Sequence, residues 1–529
     1  MSRGITPGEL RAALTDGGEI AVVDTREGDA YAEGHISVAV PVPDSSLELE
    51  IGTRVPRRST RVVIVGDGAD RLAALGYTDV RVLDGGVRAW ADAGFELITG
   101  LNSLSKALGE FVERRYQTPR ITVEELKRKQ DAGEDLIVLD TRPLPEYRHI
   151  AIPGGRPAPG AELLYRVFDQ IPSPATQIVV NCAGRTRAII GAQALINAGV
   201  PNPVVSLENG TSAWLFAGFE PVAGAAELLD APSPDALDRS GQAAGRIRER
   251  FGIAVLGELP PDDPARTTYL FDIRTPDEYA AGHLPGSVSA PGGQLVQATD
   301  LYIGVRPARI ILVDTPDLVR SSITASWLRQ LGLDSVAVHP APASARTAGE
   351  ESAEPVGGKV AAAEDSAEPG AGVLTVAELS AKLAAGEPVT VVDLQPPAAY
   401  FETRHHIPGS LVTRRSTLLR DPGLLSDAVR EGSVVLVSAD GRLARLAASE
   451  IPGALALAGG VAAWSAAGLS TATGTDQKPL TDTDALPPTP DLDARKAAFA
   501  EYVAWGDRII DQLDRDGLVS FRQFEEVPA

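Results

Sequence analysis

Sulfur is nearly absent from this chain, whose 529 residues include one cysteine, Cys182, and one methionine. A single cysteine excludes an intrachain disulfide and any cysteine-rich zinc or iron-sulfur site. The six histidines are scattered too, so no metal site is expected. Lysine is also scarce: seven of the 49 basic residues are Lys, while Ala and Gly abound, a bias of GC-rich bacterial genomes that carries little chemistry. Positive charge is outweighed by 71 acidic residues, and the formal net charge of -22 argues against a nucleic-acid backbone or an anionic membrane surface as partner. No run of about 18 apolar residues occurs, and Met1 to Glu19 lacks a basic stretch leading into an apolar one. The expectation is a bacterial, cytoplasmic protein with no membrane partner.

Hydrophobic residues make up 44% and charged residues 23%, ordinary for a folded globular chain. At roughly 100 to 200 residues per domain, this length holds three to five domains. An internal repeat organises them. Four segments carry a buried apolar run ending in Asp: AVVDTR to Arg26, LIVLDTR to Arg142, YLFDIR to Arg274, and TVVDLQ with Asp393. A Tyr and a turn resembling Gly-His-Ile-Pro-Gly follow: Tyr31 to Ile36, Tyr147 to Gly154, Tyr279 to Gly286, and Tyr400 to Gly409. Then comes a second apolar run, Val62 to Val65, Ile178 to Val180, Ile310 to Val313 and Val434 to Val437, followed by a polar loop and a helical pattern.

Three repeats close alike, with LDGGVRAWADAG, LENGTSAWLFAG and LAGGVAAWSAAG, and the third lacks this ending. Trp90, Trp214 and Trp464 in those endings read as core aromatics. Strands alternating with helices at this spacing predict α/β domains, each a mainly parallel sheet flanked by helices. The expected boundaries are 1–100, 118–222, 250–340 and 373–472. A linker at 341–372, rich in Ala, Glu, Gly, Ser and Pro, reads as a disordered tether, and a C-terminal helical cap is expected over 487–529. Asn102 to Tyr116 and Pro234 to Phe251 read as linking helices. Phe499, Tyr502, Val503, Ile509, Ile510 and Leu513 give the tail an apolar stripe.

Only the second repeat carries a nucleophile in its loop, IVVNCAGRTRAIIGAQALINAG from Ile178 to Gly199. This order puts Cys182 at the carboxyl end of a strand and beside a helix N-terminus, where backbone N–H groups favour an anion. A thiol so placed is expected to be exposed and to titrate below the ~8.5 of a free cysteine. Gly184 lets the loop curl into a nest for an oxyanion, and Arg185 and Arg187 add positive charge.

On the Asp-Thr-Arg runs, the Gly-His-Ile/Leu-Pro-Gly turns, the Cys loop and the Gly-Gly-x-x-x-Trp-x-x-x-Gly endings, the chain resembles a tandem rhodanese, with four rhodanese-like domains over most of residues 5 to 470. The resemblance implies a sulfurtransferase that takes sulfane sulfur from thiosulfate or a similar donor onto Cys182 as a persulfide. The sulfur then passes to cyanide, a thiol or a protein acceptor. It implies that Ala183, Gly184, Arg185, Thr186 and Arg187 bind substrate and that no cofactor is needed. The related cysteine phosphatases need an Arg six positions after the Cys. That position is Ala188 here, and the shorter loop ending at Arg187 favours sulfur over a phosphate ester.

Gly66, Asp314 and Ser438 stand at the cysteine position of the other repeats, so the first, third and fourth domains are expected to be inactive. Asp67, Asp314, Asp317 and Asp440 would repel an anionic donor there. Ser438→Cys alone should not restore a site, whereas adding Asp440→Gly and Gly441→Arg would recreate the Cys-x-Gly-Arg start. Asp140 and Arg142, echoed by Asp24/Arg26 and Asp272/Arg274, read as a structural pair near the site. His35, His283 and His406 recur in repeats without Cys and read as structural, and His149 lies near the corresponding turn. The competing reading is a non-catalytic scaffold, or a redox or persulfide sensor, built from such modules.

Overall fold

The two buried apolar runs of each repeat lie side by side as parallel strands. Near-continuous Val, Ile and Leu suit strands covered on both faces. In the computed structural model, which describes residues 3–224, 227–341, 372–394, 405–475, 477–484, 486 and 490–525, the register is the same in every copy. Asp24 lies opposite Val65, Asp140 opposite Asn181, Asp272 opposite Val313, and Asp393 opposite Val437. The next residue in each case is Gly66, Cys182, Asp314 or Ser438, so the backbone itself aligns these four positions.

The second sheet runs Arg120–Ile121, Val204–Leu207, Gln177–Asn181, Leu136–Asp140, Gly155–Pro157, all parallel. The other three repeat this order. The first gains an antiparallel edge strand from the third repeat, Val305–Arg306 against Ile20 and Ala21. By contacts the chain divides into two units. One comprises Met1–Pro41, Gly52–Gly358 and Lys496–Ala529, with the first three sheets; the other comprises Val42–Ile51 and Lys359–Arg495, with the fourth.

The repeated motifs are structural devices. Arg142 donates to both carboxylate oxygens of Asp140 at 2.9 and 2.7 Å and to the Ile150 carbonyl at 2.7 Å, tying the strand end to the turn. Arg26 and Arg274 do the same to Asp24 and Gly34, and to Asp272 and Gly282. Trp90, Trp214 and Trp464 are buried, and each indole N–H donates to the carbonyl six residues on, at 2.9 to 3.1 Å. His35 and His283 stack on Tyr31 and Tyr279 with centroids 3.9 Å apart.

The linking helices form as Ser103–Tyr116 and Pro234–Phe251, the latter capped by the Ser233 side chain. The helix after the first loop, Ala69–Ala74, is half the length of Thr186–Asn197 in the second repeat. The tail helix is Leu492–Asp516; it buries Ile509, Ile510 and Leu513 and leaves Phe499, Tyr502 and Val503 half-buried. Residues 342–371 of the expected linker, and Tyr400, lie outside the described residues. Among the described residues, no helix is long and apolar enough to cross a membrane.

Candidate functional site

Cys182 follows the strand Gln177–Asn181 directly, and Ala183 to Arg185 make the bend into the helix Thr186–Asn197. What orients the bend is the next helix, Gly210–Phe216. Its Thr211 N–H donates to the Cys182 carbonyl and its Ser212 N–H to the Ala183 carbonyl, both at 2.9 Å. The Thr211 and Ser212 hydroxyls add bonds to the same two oxygens. With the carbonyls drawn outward, the loop's N–H groups turn inward, and those of Ala188 and Gly184 favour a negative charge on the sulfur. Gly210 is required at this junction: its φ is +53°, and a Cβ there would sit 2.2 Å from the Cys182 carbonyl oxygen.

The structure corrects the expectation of an exposed, acidified thiol. Cys182 is 1% exposed. Burial pushes its pKa above the ordinary value, and this outweighs the downward pull of the Arg187 guanidinium and of the Ala188 and Gly184 N–H groups; Asp140 adds a further push upward. Lack of hydration opposes the thiolate more than the helix end and loop support it.

The two loop arginines part company. Arg187 makes a bidentate pair with Glu146 at 2.9 and 2.8 Å, close enough to the sulfur for its charge to favour the thiolate. Arg185 turns toward the linking helix Ser103–Tyr116, pairing with Glu110 at 2.9 and 3.0 Å and with Glu113. Lys106 joins the same buried group, 2.7 Å from Glu110. Burial raises the Glu110 carboxyl, but Arg185 and Lys106 hold it below its usual range. Thr186 is buried where the linking helix comes nearest, since a Cβ on Gly109 would lie 2.9 Å from its Cγ2. Asp140 and Arg142 sit behind the loop, joined to it through Asn181, whose amide donates to Asp140 at 2.8 Å and to Thr211 Oγ1 at 3.1 Å.

Glu110, Glu113, Glu146, Gly210 and Thr211 were not singled out from the sequence. The Lys106/Glu110 spacing of four on a helical stretch was readable as a pair, but nothing local ties it to a loop some seventy residues on. His149 lies at the end of the helix Leu144–His149. Among the described residues, no group of three or more His, Cys, Asp or Glu is placed to hold a metal ion.

The family model for the rhodanese-like domain matches residues 6–93, 122–217 and 257–339. Among solved structures, the thiosulfate sulfurtransferase from Pseudomonas aeruginosa is 38% identical, with 99% of this chain and 100% of that one covered and a TM-score of 0.83. The BH2092 protein from Bacillus halodurans is 21% identical over 23% of this chain and 93% of that one, with a TM-score of 0.19. A rhodanese-related protein from Thermoplasma volcanium is 18% identical over 19% of this chain and 96% of that one, with a TM-score of 0.17. No curated protein matches the chain.

Proposed function

The chain belongs to the rhodanese-like domain family, and from that premise we propose that it is a rhodanese-type sulfurtransferase whose persulfide forms on Cys182. Whole-length similarity to a thiosulfate sulfurtransferase supports the reaction class. The observation that carries the assignment to Cys182 is the inward set of N–H groups around its sulfur, at the one loop of four with a cysteine.

The thiol first gives its proton to solvent. The thiolate attacks the sulfane sulfur of thiosulfate, an S–S bond forms to Cys182, and the donor's S–S bond breaks with its electron pair leaving on sulfite. Cyanide or a thiolate then attacks the outer sulfur of the persulfide anion, and the bonding pair returns to the Cys182 sulfur. In each half the negative charge passes through the loop, where the N–H groups of Gly184 and Ala188 and the Arg187 guanidinium stabilise it. Arg185 serves by fixing the loop against Glu110 and Glu113. Donor and acceptor are small molecules in this reading, and the reaction calls for no cofactor.

Mass spectrometry of the intact chain after thiosulfate treatment tests it. One added sulfur is expected per chain, lost on adding cyanide, with none on Cys182→Ala. No added sulfur on the parent protein would overturn the proposal in favour of a non-catalytic scaffold.

A further inference from the structure

The mouth of the Cys182 loop is built in part from the far end of the sequence. The helix Leu492–Asp516 lays its first half over the loop: a Cβ on Gly184 would lie 3.4 Å from Phe499 Cε2 and 3.9 Å from Tyr502 Cε1. Both rings therefore border the space that a side chain at Gly184 would fill. The Tyr502 hydroxyl is 3.5 Å from Thr186 Oγ1, and its ring covers the Lys106 ammonium at 4.1 Å. Phe499 meets Phe216 edge-on at 5.5 Å, on the helix that holds the loop's carbonyls. Burial keeps the Tyr502 phenol neutral, although its bond to Thr186 pulls the other way.

The second half of the same helix is the anchor. Gly506 lies so close to Lys106 that a Cβ would fall 2.6 Å from Lys106 Cε. Ile509, Ile510 and Leu513 are buried, and Asp516 accepts from Ser37 Oγ at 2.5 Å and pairs with Arg11 at 3.3 Å. A helix fixed at that end holds its aromatic pair at a set height over the loop. Cys182 is almost fully covered while Ala183, Gly184 and Arg187 are half-buried, so a reagent must pass a partly covered rim to meet the sulfur.

We propose that Phe499 and Tyr502 are specificity-determining residues of the Cys182 site, a size filter that admits small acceptors such as cyanide and excludes bulky thiols such as glutathione. The acceptor part rests on the sulfurtransferase reading; the access part does not. Cys182 is the only cysteine, so alkylation of the full-length protein reports on this one sulfur. Rates with iodoacetamide and with fluorescein maleimide at alkaline pH are compared for the parent, Phe499→Ala, Tyr502→Ala and Tyr502→Phe. Both Ala variants should gain about tenfold with the maleimide relative to iodoacetamide, the scale at which pocket size discriminates, and Tyr502→Phe should keep the parent ratio. The kcat/KM ratio of cyanide to glutathione should fall by a similar factor in the Ala variants. An Ala variant that loses the parent circular dichroism is replaced by Phe499→Leu or Tyr502→Leu and read in the same way. Unchanged reagent and acceptor ratios in folded variants overturn the filter. A shifted alkylation ratio without sulfur transfer by any protein, parent included, overturns the sulfurtransferase reading and leaves the filter standing.

Discussion

Arg185 and Arg187 are two residues apart on one loop, and the carboxylates that face them give them different work. Glu110 and Glu113 hold Arg185 to the linking helix, while Arg187 sits on Glu146 and is the strongest support for the Cys182 thiolate. Since burial raises the thiol pKa, less than the ~3% thiolate of a free cysteine is present at pH 7, and alkylation should keep rising well into the alkaline range. Removing Arg187 also leaves Glu146 uncompensated near the sulfur. Arg187→Ala should therefore move the iodoacetamide pH profile further up and slow the rate at pH 8 about three- to tenfold. Arg185→Ala should leave that profile in place and lower the thermal midpoint instead, because Glu110 is buried and loses its main partner. The sequence showed two positive charges beside a cysteine. Their separation into one electrostatic and one structural residue depends on carboxylates from two other helices, which no local pattern announces.

At the level of the element, the fourth loop keeps the framework of the second. Val461 and Ala462 donate to the Ser438 and Ala439 carbonyls, as Thr211 and Ser212 do to Cys182 and Ala183, and the Ala444 N–H donates to Ser438 Oγ at 3.2 Å. What differs is charge and bend. Asp440 binds Arg442, and although burial raises its carboxyl, that arginine keeps it below its usual range and so ionised. Gly441 has a φ of +84°, and a Cβ there would lie 2.8 Å from the Leu457 carbonyl oxygen and 2.9 Å from the Gly459 nitrogen. The Gly441→Arg change expected to help rebuild a site is thus sterically excluded. On a Cys182→Ala background, Ser438→Cys should take up no sulfur from thiosulfate, and Ser438→Cys with Asp440→Gly should take up a measurable amount by intact mass. Equal uptake by both would show that loop charge does not decide whether a cysteine at this position takes up sulfur. Strands and helices were legible here because buried runs and the Gly-Gly-x-x-x-Trp endings follow simple periods. The loop bend was not, because it is set by hydrogen bonds to a helix more than twenty residues later.

On the scale of the whole molecule, the long-range contacts carry groups that titrate in opposite directions. His35 in the first repeat is buried, donating from Nδ1 to the Tyr31 carbonyl and facing Ser103 of the linking helix at 3.4 Å. Burial lowers its pKa from 6.5 to about 4, so below pH 6.5 the unfolded chain takes a proton that the folded one refuses. Stability is then lost as pH falls toward 4, by about 3 kcal/mol for this group. Asp300 in the third repeat is buried near Arg54 and Arg306, and burial raises its pKa from 3.8 to about 6 despite them. Its unfolded form ionises first, so it costs stability as pH rises from 4 to 6, again by about 3 kcal/mol. Over that interval the two contributions oppose and nearly cancel. His35→Gln should accordingly gain stability relative to the parent as pH is lowered from 6.5 to 4, and Asp300→Asn should gain as pH is raised from 4 to 6. Urea midpoints of the three proteins at pH 4, 5, 6 and 7 measure both trends, and it is the slope of each difference with pH, rather than its size at any one pH, that reports the buried group. A flat difference for either variant would mean that its group titrates alike in the folded and unfolded chain, and that burial at that contact does not set its charge.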